Sequence, residues 1–151
     1  MLVAASRVGH VSSAVRLVDL REDPLDVTEV LAALDDDASG GLTLFVGRVR
    51  DHDRGKGVLG LDYTPHPTAL AKLREVCERV AAEHAVAGVA AVHRVGSLAI
   101  GDIAVVVATT SAHRGDAFVA SRALIDTLKA EVPIWKHQRF EDGSDEWVGT
   151  P

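Results

Sequence analysis

Residues 102–110 constrain the fold more than any other stretch, because they read Asp-Ile-Ala-Val-Val-Val-Ala-Thr-Thr. Successive side chains of a strand point to opposite faces. Ile103, Val105 and Val107 therefore share one face, and Ala104, Val106 and Ala108 the other. Both faces are apolar, which marks a strand covered on both sides. Residues 42–50 repeat the pattern, with Leu42, Leu44 and Val46 on one face and Phe45 and Val49 on the other, and they predict a second central strand. The chain has 151 residues, the size of one domain. At that length roughly 68–70% of the unfolded surface can be buried without disulfide or metal staples.

The remaining segments alternate between two periods. Strands are predicted at 14–20, 58–63, 89–95, 135–141 and 146–148, with a hairpin turn around Gly96–Gly101. A short helix is predicted near 26–36, opened by the capping-box spacing of Asp26 and Glu29. Two long helices follow. One runs from Pro67 to about Ala85, with Leu70, Leu73, Val76, Cys77 and Val80 as its buried stripe. The other runs from about Arg114 to Ala130 and uses Ala117, Phe118, Ser121, Leu124, Ile125 and Leu128. Residues 51–57, Asp-His-Asp-Arg-Gly-Lys-Gly, predict a flexible loop. Residues 1–13 read as a flexible N-terminal leader, and 14–151 as a single domain of class α+β with a mixed, mostly antiparallel sheet.

Composition narrows the function. Lys and Arg total 16 against 22 Asp and Glu, a net charge of −6. That balance argues against a general nucleic-acid binder and against docking on anionic membranes. No apolar run approaches the roughly 20 residues needed to span a bilayer. The single cysteine, Cys77, excludes an internal disulfide framework and a Cys-based zinc site. No histidine spacing matches a metal motif, so no metal is expected. These features together predict a soluble cytoplasmic domain.

Polar chemistry collects in three clusters. Arg48 and Arg50 flank Val49 at a strand end, and alternation puts both guanidinium groups on one side, as a fork for phosphate or carboxylate. His113 and Arg114 open the second long helix, where unpaired N–H groups already favour anions. Lys129 and Lys136 bracket Val132-Pro133-Ile134-Trp135, a rigid turn that brings two ammonium groups towards one pocket. Crowded or desolvated lysines have lowered pKa values and can work as acid, base or nucleophile. Each cluster, taken alone, also fits ordinary solvated charge.

Spacing adds a constraint. His113 and Lys129 lie 16 positions apart on one predicted helix, roughly 24 Å at 1.5 Å per residue. One small substrate does not span that distance. The helix is broken, or the clusters serve different pockets, or one pocket is built across a dimer interface. With no proline inside the helix, the third option is favoured.

The motifs also occur in a familiar order. Leu44-Phe45-Val46-Gly47-Arg48-Val49-Arg50, His93-Arg94-Val95-Gly96-Ser97-Leu98 with Gly101, His113-Arg114, Leu128-Lys129 and Val132-Pro133-Ile134-Trp135-Lys136 together resemble the catalytic (large) subunit family of molybdopterin synthase, over roughly residues 15–148. The resemblance implies an α/β-hammerhead-like fold with two long helices. It implies a homodimer whose site is shared across the interface. It also implies a partner, a small ubiquitin-like sulfur-carrier subunit whose C-terminal Gly-Gly carries a thiocarboxylate. The implied reaction moves sulfur from that tail to cyclic pyranopterin monophosphate (precursor Z), forming the molybdopterin dithiolene with no cofactor on the protein itself.

On the same resemblance, Lys129 and Lys136 are the catalytic residues. Substrate binding falls to Arg48, Val49, Arg50, His113, Arg114, Lys129, Lys136, His137 and Gln138. One departure stands out. The family commonly continues Lys-Lys-Glu after the tryptophan, where this chain has Lys136-His137-Gln138 and so an amide in place of a carboxylate. The intact lysines favour an active sulfurtransferase over a catalytically silent paralogue that only docks the carrier. A phosphate-ester hydrolase is weaker still, for want of metal ligands.

Overall fold

The computed structural model describes residues 14–149, so the leader expected at 1–13 lies outside the described residues. Nine strands and three helices are described. They are β1 (Val15–Arg21), α1 (Val27–Ala33), β2 (Gly41–Arg48), β3 (His52–Asp53), β4 (Lys56–Pro65), α2 (Ala69–Glu83), β5 (Gly88–Arg94), β6 (Gly96–Ala99), β7 (Ile103–Ser111), α3 (Arg114–Glu131), β8 (Ile134–Phe140) and β9 (Asp145–Val148). The class is α+β, with one parallel pair, β1 with β5, and antiparallel pairing elsewhere.

Period-two alternation in β5 and β7 builds the core. The first sheet runs β1-β5-β7-β2. Val89, Ala91, Val105 and Val107 point to the face covered by α2 and α3, where they meet Leu73, Val76, Val80, Leu124 and Leu128. Ala90, Val92, Val106 and Ala108 point to the other face, under Val30 and Leu34 near α1. Burial of each such Val or Leu contributes about 1.5–3 kcal/mol. Cys77 lies in the same core, fully buried, and its thiol is pushed up to about 12 by desolvation.

Several expectations change. Residues 42–50 do not form a central strand: among the described residues β2 is an edge strand whose sole neighbour is β7. Its apolar side chains Leu42, Leu44 and Phe45 are 43%, 36% and 40% exposed. Leu70 and Phe118, assigned to buried helix stripes, also face solvent. The capping box is only half formed: Asp26 accepts from the Thr28 backbone N–H, while Glu29 pairs with Arg21. The turn at 96–101 contains a strand of its own, β6, which leaves the first sheet to pair with β4.

The second sheet, β3-β4-β8-β9 with β6 on β4, packs against one end of the first. Val49, Leu61, Leu98 and Ala104 form the small core between them, with Tyr63 packed against it. The loop expected at 51–57 is a tight hairpin. Arg54 and Gly55 both take positive φ (50° and 80°), as a two-residue hairpin turn requires. His52 then pairs with Gly57 and Asp53 with Lys56.

Candidate active site

Lys129 lies in the last turn of α3, and Lys136 near the start of β8. Pro133 cannot extend the helix ladder, so the chain reverses there and brings the two ammonium groups into electrostatic reach. Solvent reaches Lys129. Even so, the surrounding protein strips enough hydration to lower its pKa, and the like charge of Lys136 lowers it further. A pocket of about 170 Å³ opens beside it, lined by Lys129, Val132, Pro133, Trp135 and Gly149 among others. The Trp135 indole N–H is buried without a partner among the described residues.

Strand alternation sorts β8. Lys136, Gln138 and Phe140 share one face, and His137 and Arg139 the other. Gln138, 3% exposed, donates from Nε2 to Asp53 Oδ2 at 2.8 Å. Asp53 Oδ1 lies 3.6 Å from Arg50. The Gln138 hydrogen bond holds the Asp53 carboxyl below its ordinary pKa, helped by the charges of Arg54, Lys136 and Arg50. Arg50, Lys136, Gln138 and Asp53 therefore form one cluster. His137 does not join it: its Nε2 lies 2.7 Å from Asp145, and its ring stacks on Trp147 at 4.4 Å.

The arginine fork is present in modified form. A bulge between Gly47 and Arg48 ends the regular ladder. Val49 then closes the strand through Val49 N–H to Asp102 O and Gly101 N–H to Val49 O, and its side chain is buried. Val49 thus anchors the two exposed arginines through the core. Arg48 donates to the Gly101 carbonyl at 3.3 Å, and Arg50 faces Asp53.

His113 and Arg114 are elsewhere. His113 is the N-cap of α3 and makes no side-chain cap bond, and both residues are exposed. They sit beside the start of β2, where a Cβ on Gly41 would lie 2.8 Å from Arg114 Cα. α3 is unbroken over 18 residues. Within one chain, the structure therefore brings together the arginine and lysine clusters and leaves the His113 cluster at the far end of the helix.

Sequence reasoning missed two residues. Asp53 was read as part of a loop, and only the Arg54-Gly55 hairpin signal pointed to its fixed position. His93 was read as part of a motif without a role. It is 2% exposed at the end of β5, on the sheet face that carries α3. A wider cleft of about 410 Å³ lies between the β3–β4 and β8–β9 hairpins, but its cations are paired, Arg54 with Glu146 in its lining and Lys56 with the nearby Asp142. Among the described residues no group of three or more His, Cys, Asp or Glu is placed to hold a metal, and no helix is long and apolar enough to cross a membrane.

Comparison with known proteins identifies the family. The profile of the family described as MoaE protein matches residues 20–131. The molybdopterin synthase catalytic subunit 1 of Mycobacterium tuberculosis is 44% identical over 131 residues, covering 86% of this chain and 88% of that protein. The human molybdopterin synthase catalytic subunit is 34% identical, covering 88% of this chain and 70% of that protein. The crystal structure of molybdopterin synthase from Staphylococcus aureus superposes with a TM-score of 0.81 at 30% identity, covering 88% of this chain and 97% of that one. The fold is also that of a chain in the structure of a complex of subunits 1 and 2 of the molybdopterin-converting factor from Helicobacter pylori, with a TM-score of 0.64 at 20% identity over 90% of each chain. The chain belongs to the MoaE family, the catalytic subunits of molybdopterin synthase.

Proposed function

We propose that this chain transfers sulfur from the thiocarboxylated Gly-Gly tail of a small ubiquitin-like carrier to cyclic pyranopterin monophosphate, and that its active form is a homodimer with shared sites. The observation that carries the reading is the convergence of Lys129 and Lys136 beside a narrow pocket. Glycines have no side chains, so a Gly-Gly tail suits a pocket of about 170 Å³. Lys136 and Arg50 supply positive charge for the substrate phosphate, and guanidinium groups bond such oxygens in pairs. Lys129, its pKa lowered by desolvation and by the charge of Lys136, gives up its proton more readily than an ordinary exposed lysine. The carrier's thiocarboxylate sulfur adds to an electrophilic substrate carbon as a carbon–oxygen bond of that carbon breaks and the oxygen leaves with a proton; water then cleaves the sulfur's bond to the carrier acyl group, so the carrier leaves as a carboxylate and the sulfur stays on the substrate. A cationic, partly desolvated site favours both negatively charged stages.

The edge strand supports the dimer. Among the described residues β2 has a free edge, and an apolar surface runs from Leu44 and Phe45 across to Phe118 and Ile125 of α3. A two-fold axis through the middle of β2 would pair the strand antiparallel with its copy. That operation lays the partner's β2 start, with its adjoining His113 cluster, beside this chain's Arg48 and Arg50. The eight residues of β2 span roughly 24 Å at 3.4 Å per step, the same reach as α3 from His113 to Lys129. The two mismatched ends of one chain thereby become neighbours in the pair. An acidic protein with its basic charge concentrated at these sites suits one small phosphorylated substrate.

The test combines the purified protein, thiocarboxylated carrier and the cyclic pyranopterin. Molybdopterin should form with the wild type. Lys129→Ala should lose product formation while still binding carrier. Binding of both ligands by the wild type without turnover would reduce the protein to a docking module.

A further inference from the structure

We propose that Asp53 is a positioning residue for Arg50: anchored by the buried Gln138 amide, its carboxylate holds the Arg50 guanidinium beside the β8 face that carries Lys136. Gln138 is 3% exposed and donates from Nε2 to Asp53 Oδ2 at 2.8 Å. The other oxygen, Oδ1, lies 3.6 Å from Arg50 Nη2. One carboxylate thus bridges a fixed donor on β8 and a cation just ahead of β3. The Arg50 side chain is 68% exposed and that of Asp53 only 20%. Lys136 and Gln138 lie two residues apart on one face of β8, roughly 7 Å along the strand. The bridge therefore starts one pleat from the lysine.

The backbone fixes the same register. β3 and β4 close a hairpin through the Arg54-Gly55 turn. The Glu141 N–H donates to the Gly57 carbonyl at 2.9 Å and ties that hairpin to the end of β8. Arg54 is directed elsewhere, to Glu146. Among the described residues Asp53 is the sole ion-pair partner of Arg50. Most surface ion pairs contribute little, because ordering two side chains offsets the attraction. Here the acid is already ordered by the Gln138 hydrogen bond, which also keeps its carboxyl below the ordinary pKa and so ionised at neutral pH. Only the arginine, with its many rotamers, remains to be restrained. The contact engages one terminal nitrogen, so other N–H groups of the guanidinium stay available for a paired contact to phosphate. The amide at 138, in place of the carboxylate common in the family, fits this arrangement: two carboxylates at 2.8 Å would repel, and here the charge sits on β3.

The inference rests on the proposed contact of Arg50 with the substrate phosphate, and two readouts separate them. Asp53→Asn keeps the shape and an acceptor oxygen for Gln138, and removes the charge. KM for the cyclic pyranopterin should then rise about fivefold, the upper range for a surface ion pair, with kcat little changed. Mere removal of negative charge beside an anion site predicts the opposite sign. In an Arg50→Ala background Asp53→Asn should add almost nothing, as a double-mutant cycle requires of a residue that acts through Arg50. A KM that is unchanged or lower, or an equal effect in both backgrounds, overturns the inference. The second readout needs no substrate. On ¹⁵N-arginine protein the Arg50 Nε–H signal, assigned with Arg50→Ala, should show the heteronuclear NOE of a restrained side chain in the wild type and lose it in Asp53→Asn. Equal mobility in the two proteins also overturns the inference. If Arg50→Ala leaves KM unchanged, the phosphate assignment fails, whereas the NOE still decides whether Asp53 holds Arg50.

Discussion

Shared sites make a quantitative demand on mixed dimers. His113 and Arg114 lie at one end of a continuous 18-residue helix and Lys129 at the other, roughly 24 Å away. If each site takes Arg114 from one protomer and Lys129 from its partner, Arg114→Ala and Lys129→Ala damage opposite halves of the same site. Each pure mutant dimer then has two broken sites. A mixed dimer has one site with both lesions and one with neither. Unfolding and refolding an equimolar mixture gives about half mixed dimers, so about one quarter of wild-type activity should return. The assay is molybdopterin formation with saturating thiocarboxylated carrier. Differently tagged chains and native mass spectrometry would confirm the mixed species. Both side chains are exposed, so truncation should leave folding intact. Activity no higher than that of the pure mutants, with mixed dimers verified, would refute the two-protomer site.

Three further outcomes follow from particular contacts. Gln138→Glu would set a second carboxylate against Asp53 at the 2.8 Å contact, and like-charge repulsion should lower the urea midpoint; adding Asp53→Asn should recover most of this shift, because the amide then donates in the other direction. Gly41→Ala would push a Cβ to 2.8 Å from Arg114 Cα, which should cost about 1–3 kcal/mol and raise KM for the pterin by displacing Arg114; unchanged KM would detach this helix start from the site. His93 is neutral in the folded state down to about pH 4 against an ordinary value of 6.5. Between those values the unfolded chain takes up a proton and the native one does not. Stability is therefore lost as pH falls through this window, by roughly 3 kcal/mol at most. His93→Gln should lose less stability than wild type between pH 7 and 4.5, and an equal loss would count against a neutral buried ring.

The two periods of the sequence carried most of the fold. β5, β7 and α3 stand where alternation and helical spacing put them, because their burial is settled within the chain. β2 was misread for the opposite reason. Leu42, Leu44 and Phe45 have the apolar pattern of a central strand, yet among the described residues they lie partly exposed on an edge strand. Phe118 gives the same false signal on α3. Sequence periodicity reports that a face is apolar and does not say whether the covering surface belongs to the same molecule. Within the site, Arg50, Lys129 and Lys136 were legible because charge clusters next to strand ends and a proline turn are local. Asp53 and His93 were not. Their placements depend on a hydrogen bond from Gln138, 85 residues away in sequence from Asp53, and on the Tyr63 ring packed edge-on against His93. His137 shows the cost of reading neighbours as partners, since one step along a strand put it on the opposite face from Lys136.

Cys77 carries a consequence for the chemistry of sulfur transfer. A thiocarboxylate is an acyl donor, and any accessible thiolate near it would compete by capturing the carrier as a thioester. Here the only thiol of the chain is sealed in the α2 core and held to about 12, so almost none of it is ionised at neutral pH. Packing thereby removes capture by an enzyme thiol from the side reactions open to a thiocarboxylate here.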